Sequence, residues 1–141
     1  MRYMGLDVGD KTIGVAISDG LGFSAQPIEV IRRNTLEKDI QRLTELIVEY
    51  EVDGIVVGMP RNMDGSYGFR AEITKEFVEN LKEAISVPVH FWDERLSTRA
   101  AEAALLEANV SRGKRKKVVD KLAAVIILQG FLDRERQKNQ N

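Results

Sequence analysis

An α/β fold on a mixed five-stranded sheet, with helices on both faces, follows from three features of the sequence. Residues 1–33 carry three runs of period-two hydropathy separated by turns rich in glycine and aspartate, the pattern of hairpin-linked antiparallel strands. From residue 34 the apolar spacing lengthens to that of a helix. The continuously apolar run GIVVGM at 54–59 then reads as a central strand covered on both sides. Strands alternating with helices after a meander require parallel additions to an antiparallel sheet.

The first strand is predicted over 1–8, where Met4, Leu6 and Val8 alternate with Tyr3, Gly5 and Asp7. Gly9, Asp10 and Lys11 form a short turn, and Ile13, Val15 and Ile17 alternate through a second strand over 12–18. A turn at 19–22 leads to a third strand over 25–33. Leu36, Ile40, Leu43, Ile47 and Tyr50 share one helical face, and Asn34 followed by Glu37 resembles a capping box. Asp53-Gly54 stops this helix, and Pro60 ends the strand that follows. A polar loop over 61–68 precedes a second helix marked by Ala71, Thr74, Phe77, Val78, Leu81 and Ile85. A fifth strand is expected over 87–92. A third helix starts at a Ser97 or Thr98 cap and ends near Asn109, and a last helix spans about 118–134. The predicted order is β-β-β-α-β-α-β-α-α, in a single domain over 1–141 with a frayed polar tail from about 135.

Composition narrows the chemistry. The chain has no cysteine and one histidine, His90, which excludes a disulfide framework and cysteine- or histidine-rich zinc sites. Asp7 and Asp10 interrupt the N-terminal apolar stretch too early for a signal peptide, and the longest apolar run, 122–128, is too short for a bilayer. A cytoplasmic protein without a membrane partner is expected. The net charge of −1 hides an asymmetry: residues 111–121 hold six basic side chains and one acid, a local +5 against −6 elsewhere. Such a stretch, predicted as a loop, suits phosphate contact or simple solvation.

Three acids stand at element ends. Asp7 points to the sheet face opposite Leu6 and Val8. Asp93 and Glu94 follow the fifth strand, and because neighbours alternate, only one of them can share the Asp7 face. Asp120 opens an almost wholly apolar helix, with the small Ala123 and Ala124 one turn on leaving room beside it. Each acid also has a plain structural explanation, as turn residue or helix N-terminal charge. Like charges gathered in one place need a cation. Arg61, Asn62 and Ser66 lie in the loop after the central strand, where open α/β sheets bind ligands. The GLGFSA string at 20–25 fits a dinucleotide fingerprint in letters only, because no helix follows it.

The strings GLDVGDKTIGVAISD, GIVVGMPRNMDGSYG, DERLST and VVDKLAAVIIL resemble the YqgF family, also called RuvX, whose members are described as Holliday-junction resolvases and as pre-16S rRNA nucleases. They span most of residues 4–128 in order. The resemblance implies a ribonuclease-H-like fold with the first strand central, flanked by the second and by the 54–59 strand, and with the last helix over the sheet. It also implies a metal-dependent nuclease with Asp7, Glu94 and Asp120 as its catalytic acids, choosing Glu94 over Asp93. Oxygen donors suit two Mg²⁺ or Mn²⁺ ions. Lys11, Arg61, Asn62, Arg95, Arg99, Arg112, Lys114, Arg115, Lys116 and Lys117 are the candidate phosphate contacts. RNA is the favoured partner and branched DNA the alternative, for a monomer or a homodimer. Two other classes remain: a phosphate-binding domain of the actin and sugar-kinase type, which also opens on an Asp-x-Gly hairpin, and a non-catalytic nucleic-acid-binding module.

Overall fold

The computed structural model describes residues 1–60, 64, 68–93 and 112–139, and in the last helix the side chains of 122–138. Five strands, β1 (Tyr3–Val8), β2 (Thr12–Ser18), β3 (Ala25–Arg32), β4 (Gly54–Met59) and β5 (Val89–Asp93), form one sheet in the order β3-β2-β1-β4-β5. β1 pairs antiparallel with β2 and parallel with β4, and β5 extends the parallel half beyond β4. The central first strand and its two expected neighbours are thus observed.

Alternation along β1 divides the interior into two apolar layers. Met4, Leu6 and Val8 point into the larger one, with Leu43 and Leu46 of α1 (Leu36–Glu49) and Phe77, Val78 and Leu81 of α2 (Phe69–Ala84). The other face is covered by α3 (Arg112–Asn139), through Ala124, Ile127, Leu128, Phe131 and Leu132 against Ala16, Ala25 and Val56. Gly5 is what lets this helix settle. A Cβ there would stand 2.7 Å from the Leu128 Cβ and 2.9 Å from the Ala124 carbonyl oxygen, closer than carbon atoms pack. Gly130 plays the same part against Trp92, whose ring lies 3.0 Å from the position a Cβ would take.

Several boundaries differ from expectation for local reasons. The cap of α1 is Thr35, whose hydroxyl accepts the Lys38 N–H at 3.2 Å. Asn34 instead gives its own N–H to the buried Asp39 at 3.0 Å, so the Asn34–Glu37 capping box does not form. β5 begins at Val89 because Pro88 has no N–H to pair; its carbonyl accepts the Ile55 N–H at 2.9 Å. The largest difference is α3, which starts at Arg112 and takes in the basic stretch expected as a loop. Lysine and arginine are good helix formers, and a run of them shows no apolar period to announce a helix. The helix also runs past Arg134 to Asn139, with ion pairs Arg136–Asp133 and Lys138–Glu135 one turn apart. The helix expected between Ser97 and Asn109 lies outside the described residues.

Candidate active site

Asp7 sits one residue from the end of β1, half-buried, between the buried Leu6 and Val8. Its cross-strand partner on β2 is Gly14, which has no side chain. Alternation turns Asp7 to the α3 face, the side of Tyr3 and Gly5. The turn that follows is closed by the Gly9 N–H on the Thr12 carbonyl at 2.8 Å. Arg33 clamps it from outside: its guanidinium donates to the Gly9 carbonyl at 2.8 Å and pairs with Asp39 at 3.4 Å, while its own N–H donates to the Lys11 carbonyl at 2.9 Å. The Arg33 guanidinium also lies 5.2 Å from the centre of the Phe77 ring, a cation–π contact that fixes it to α2. Asp10 and Lys11 are exposed in this turn, which leaves Asp10 as a turn residue and Lys11 accessible beside Asp7.

Helix α3 runs antiparallel to β1. Phe131 meets Tyr3, with ring centres 5.2 Å apart, and Ala124 and Leu128 lie against Gly5. Asp120 is one helical turn before Ala124, about 6 Å along the axis. Asp7 is two residues beyond Gly5, about 6.6 Å along the strand. The two steps are of similar length, and both run from the Gly5–Ala124 contact toward the same end of the sheet. The room that Ala124 leaves is filled by β1 itself: Ala124 is fully buried beneath Gly5.

At the far side of β4, the side chains of β5 alternate cleanly. Val89 packs into the α1/α2 layer, whereas Trp92 packs against α3 and His90 contacts Tyr3 and Phe131. By this parity Asp93, the last residue of β5, belongs to the face away from Asp7. Glu94 lies outside the described residues, as do Arg61, Asn62, Arg95 and Arg99. Arg112, Lys114, Arg115, Lys116 and Lys117 occupy the first two turns of α3, on the same helix as Asp120. His90 is exposed, with its ring against those of Tyr3 and Phe131.

Periodicity gave no hint of two further residues. Phe69, 80% exposed, and Arg70 open α2 after the loop that leaves β4. An aromatic side chain at a helix start reads as core in a sequence, and only its exposure marks it as a surface for stacking. Among the described residues no group of three histidine or acidic side chains is gathered that could hold a metal ion. The donors near Asp7 are oxygen atoms, since the chain lacks cysteine and its one histidine lies against Tyr3, at the other end of β1. Such donors fit Mg²⁺ or Mn²⁺. No helix among the described residues is long and apolar enough to cross a membrane.

A family model described as "RuvX: Holliday junction resolvase" matches residues 1–134. The chain belongs to the RuvX family. A relative from Desulforamulus reducens, which carries the name "Putative pre-16S rRNA nuclease", is 62% identical over 133 residues, 94% of this chain and 97% of the relative. A relative of the same name from Symbiobacterium thermophilum is also 62% identical over 133 residues, covering 94% of this chain and 92% of its own. Among solved structures, Thermus thermophilus RuvC superposes with a TM-score of 0.57 at 16% identity, over 96% of each chain. That likeness speaks for the fold, the ribonuclease-H-like sheet with helices on both faces expected for RuvX proteins.

Proposed function

We propose that this RuvX protein is a divalent-metal-dependent nuclease that trims the 5′ end of pre-16S rRNA in the cytoplasm, with Asp7, Glu94 and Asp120 as its acidic set. The observation that supports the reading is the antiparallel packing of α3 on β1, which puts Asp7 and Asp120 on the same side of the Gly5–Ala124 contact. The parity of β5 supports Glu94 over Asp93 as the third acid, because Asp93 belongs to the other face. The near-identical names and lengths of the relatives support the RNA substrate.

Asp7, Glu94 and Asp120 would hold Mg²⁺ or Mn²⁺, which when bound stabilises charge on the phosphoryl oxygens and makes water a better nucleophile. The protein's own part is orientation. Asp7 is fixed by a paired strand and a turn that Arg33 ties to α1 and α2. Lys11, Arg61, Asn62, Arg95 and Arg99 serve phosphate positioning, which fixes register without reading bases. The basic turns of α3 serve the same end. Cations at a helix N-terminus oppose its dipole, and a bound phosphate backbone relieves that repulsion. Phe69 offers an unstacked base a platform.

The test is cleavage of leader-containing 16S precursor and of a four-way DNA junction, each with Mg²⁺, Mn²⁺ or chelator. The precursor should be cut at its 5′ side, and Asp7→Asn, Glu94→Gln or chelator should abolish cutting while Asp93→Asn keeps it. Cutting of the junction alone, by a dimer that pairs two sites, would replace RNA processing with junction resolution. Normal cutting by Asp7→Asn would overturn the acidic set.

A further inference from the structure

The face of the sheet away from Asp7 carries an open groove of about 1000 Å³ between α1 and α2. Its floor is apolar. Leu36, Ile40 and Val48 recur on one side of α1, and Ala84 meets them from α2. Val48 is 72% exposed and Leu36 40%, although Leu43 and Leu46 already supply the buried side of the same helix. Two of its polar side chains bond within their own helices: the Thr44 hydroxyl donates to the Ile40 carbonyl, and the Asn80 amide donates to the Glu76 carbonyl, while Gln41 also lines the groove. The rim is acidic, with Glu37, Glu45 and Glu49 from α1 and Glu83 from α2, and no cation among the described residues lines the groove. Arg42 touches Glu45 at 3.1 Å from outside but is held more closely by Glu29 at 2.7 Å.

We propose that this groove is a docking site for a basic amphipathic helix of a protein partner. The apolar floor matches the stripe such a helix presents, and a third helix lying between α1 and α2 would cover Leu36 and Val48. The rim selects the flanks. Four carboxylates attract lysine and arginine on either side of the stripe and repel a phosphate backbone. They also repel one another in a symmetric pairing of two such faces, which disfavours a second copy of this chain. Because the groove and Asp7 lie on opposite faces of the sheet, the partner and the nucleic acid can be held together. The surface is therefore a tether that brings the protein to an assembly, and it holds whichever nucleic acid is cut.

A synthetic 16-residue helical peptide with one leucine stripe flanked by lysines is the probe. Its binding to the full chain is followed by fluorescence anisotropy and by NMR shifts. It should bind at least tenfold more tightly than the same peptide with glutamate flanks, and than a lysine peptide with serine in place of leucine. Shifts should centre on α1 and α2. Val48→Glu and Glu49→Lys, both exposed and remote from Asp7, should each weaken binding about tenfold and leave cleavage unchanged. Absence of binding, equal binding of the glutamate-flanked peptide, or binding indifferent to both variants overturns the proposal. Sedimentation showing a dimer that Val48→Glu dissociates overturns it in favour of self-association.

Discussion

Replacing Gly5 by alanine adds one methyl group at the point where β1 and α3 come closest. The new Cβ would lie 2.7 Å from the Leu128 Cβ and 2.9 Å from the Ala124 carbonyl. Carbon contacts settle at about 3.5–4.0 Å, so one element must retreat by roughly 1 Å. β1 is fixed by pairing on both sides, and the obstructing atoms include helix backbone, which no rotamer change can remove. The helix is the part that moves. Overpacking of this kind costs about 1–3 kcal/mol, against which alanine returns about 0.4–1 kcal/mol by stiffening the unfolded chain. A net loss of about 1–2 kcal/mol corresponds to a fall in Tm of roughly 2–8 °C at this size. Activity should fall further than stability. Asp120 rides on the displaced helix and Asp7 on the fixed strand, and a 1 Å misplacement of reacting groups can cost about 100-fold in rate. The assay pairs thermal melting with single-turnover cleavage of the precursor, at a temperature where the variant is fully folded. Unchanged Tm together with unchanged cleavage would refute the close packing of Gly5 on α3. A lower Tm with full activity would show that α3 does not carry a catalytic acid.

Three further outcomes follow from other contacts. Asp39, 2% exposed, accepts the Asn34 N–H and pairs with Arg33, so Asp39→Ala strands a largely buried cation and should cost about 3 kcal/mol in urea unfolding; a loss below about 1 kcal/mol would contradict that burial. Arg42 hydrogen-bonds Glu29 and holds its carboxyl below the usual carboxylate range. A depressed pKa adds stability above the unfolded value of about 4.5 and loses it as pH falls through the lower folded value. Glu29→Gln should therefore be less stable than the parent at pH 7, by under about 1 kcal/mol for so exposed a pair, and equal to it near pH 2. For nucleic-acid binding by the Asp7→Asn protein, Lys116→Ala and Lys117→Ala should each weaken affinity across all sequences and flatten the salt dependence by about one unit of slope; an unaltered slope would remove these residues from the phosphate contacts.

The sheet was the most legible part of the chain. Its strands announce themselves through period-two alternation that ends at glycine, aspartate or proline, and β2 and β4 fall on their expected residues. Side-chain direction was legible for the same reason, so Asp7 could be assigned a face before the fold was known. What alternation could not decide was Asp93 against Glu94, which depends on which face of β5 meets α3, a matter settled by the packing of Val89 on one side and of His90 and Trp92 on the other. The basic segment of α3 was unreadable because charge carries no period when five of the six positions from Arg112 to Lys117 are basic. The Arg33–Asp39 clamp was hidden as well. An arginine at a strand end and an aspartate in a first helical turn are both ordinary on a surface, and only tertiary packing converts them into a buried pair.

The pairing of Gly5 with Ala124 and Leu128 also orders events in time. β1 and β2 are the first elements made, and the helix that covers their second face comes more than a hundred residues later. Until α3 has left the ribosome, Tyr3, Ala16 and Val56 lack the partners that bury them, and contacts of such long sequence separation form late. A chain still being synthesised therefore holds Asp7 without Asp120. On the proposed acidic set, a chain whose α3 has not yet docked on β1 cannot complete its site.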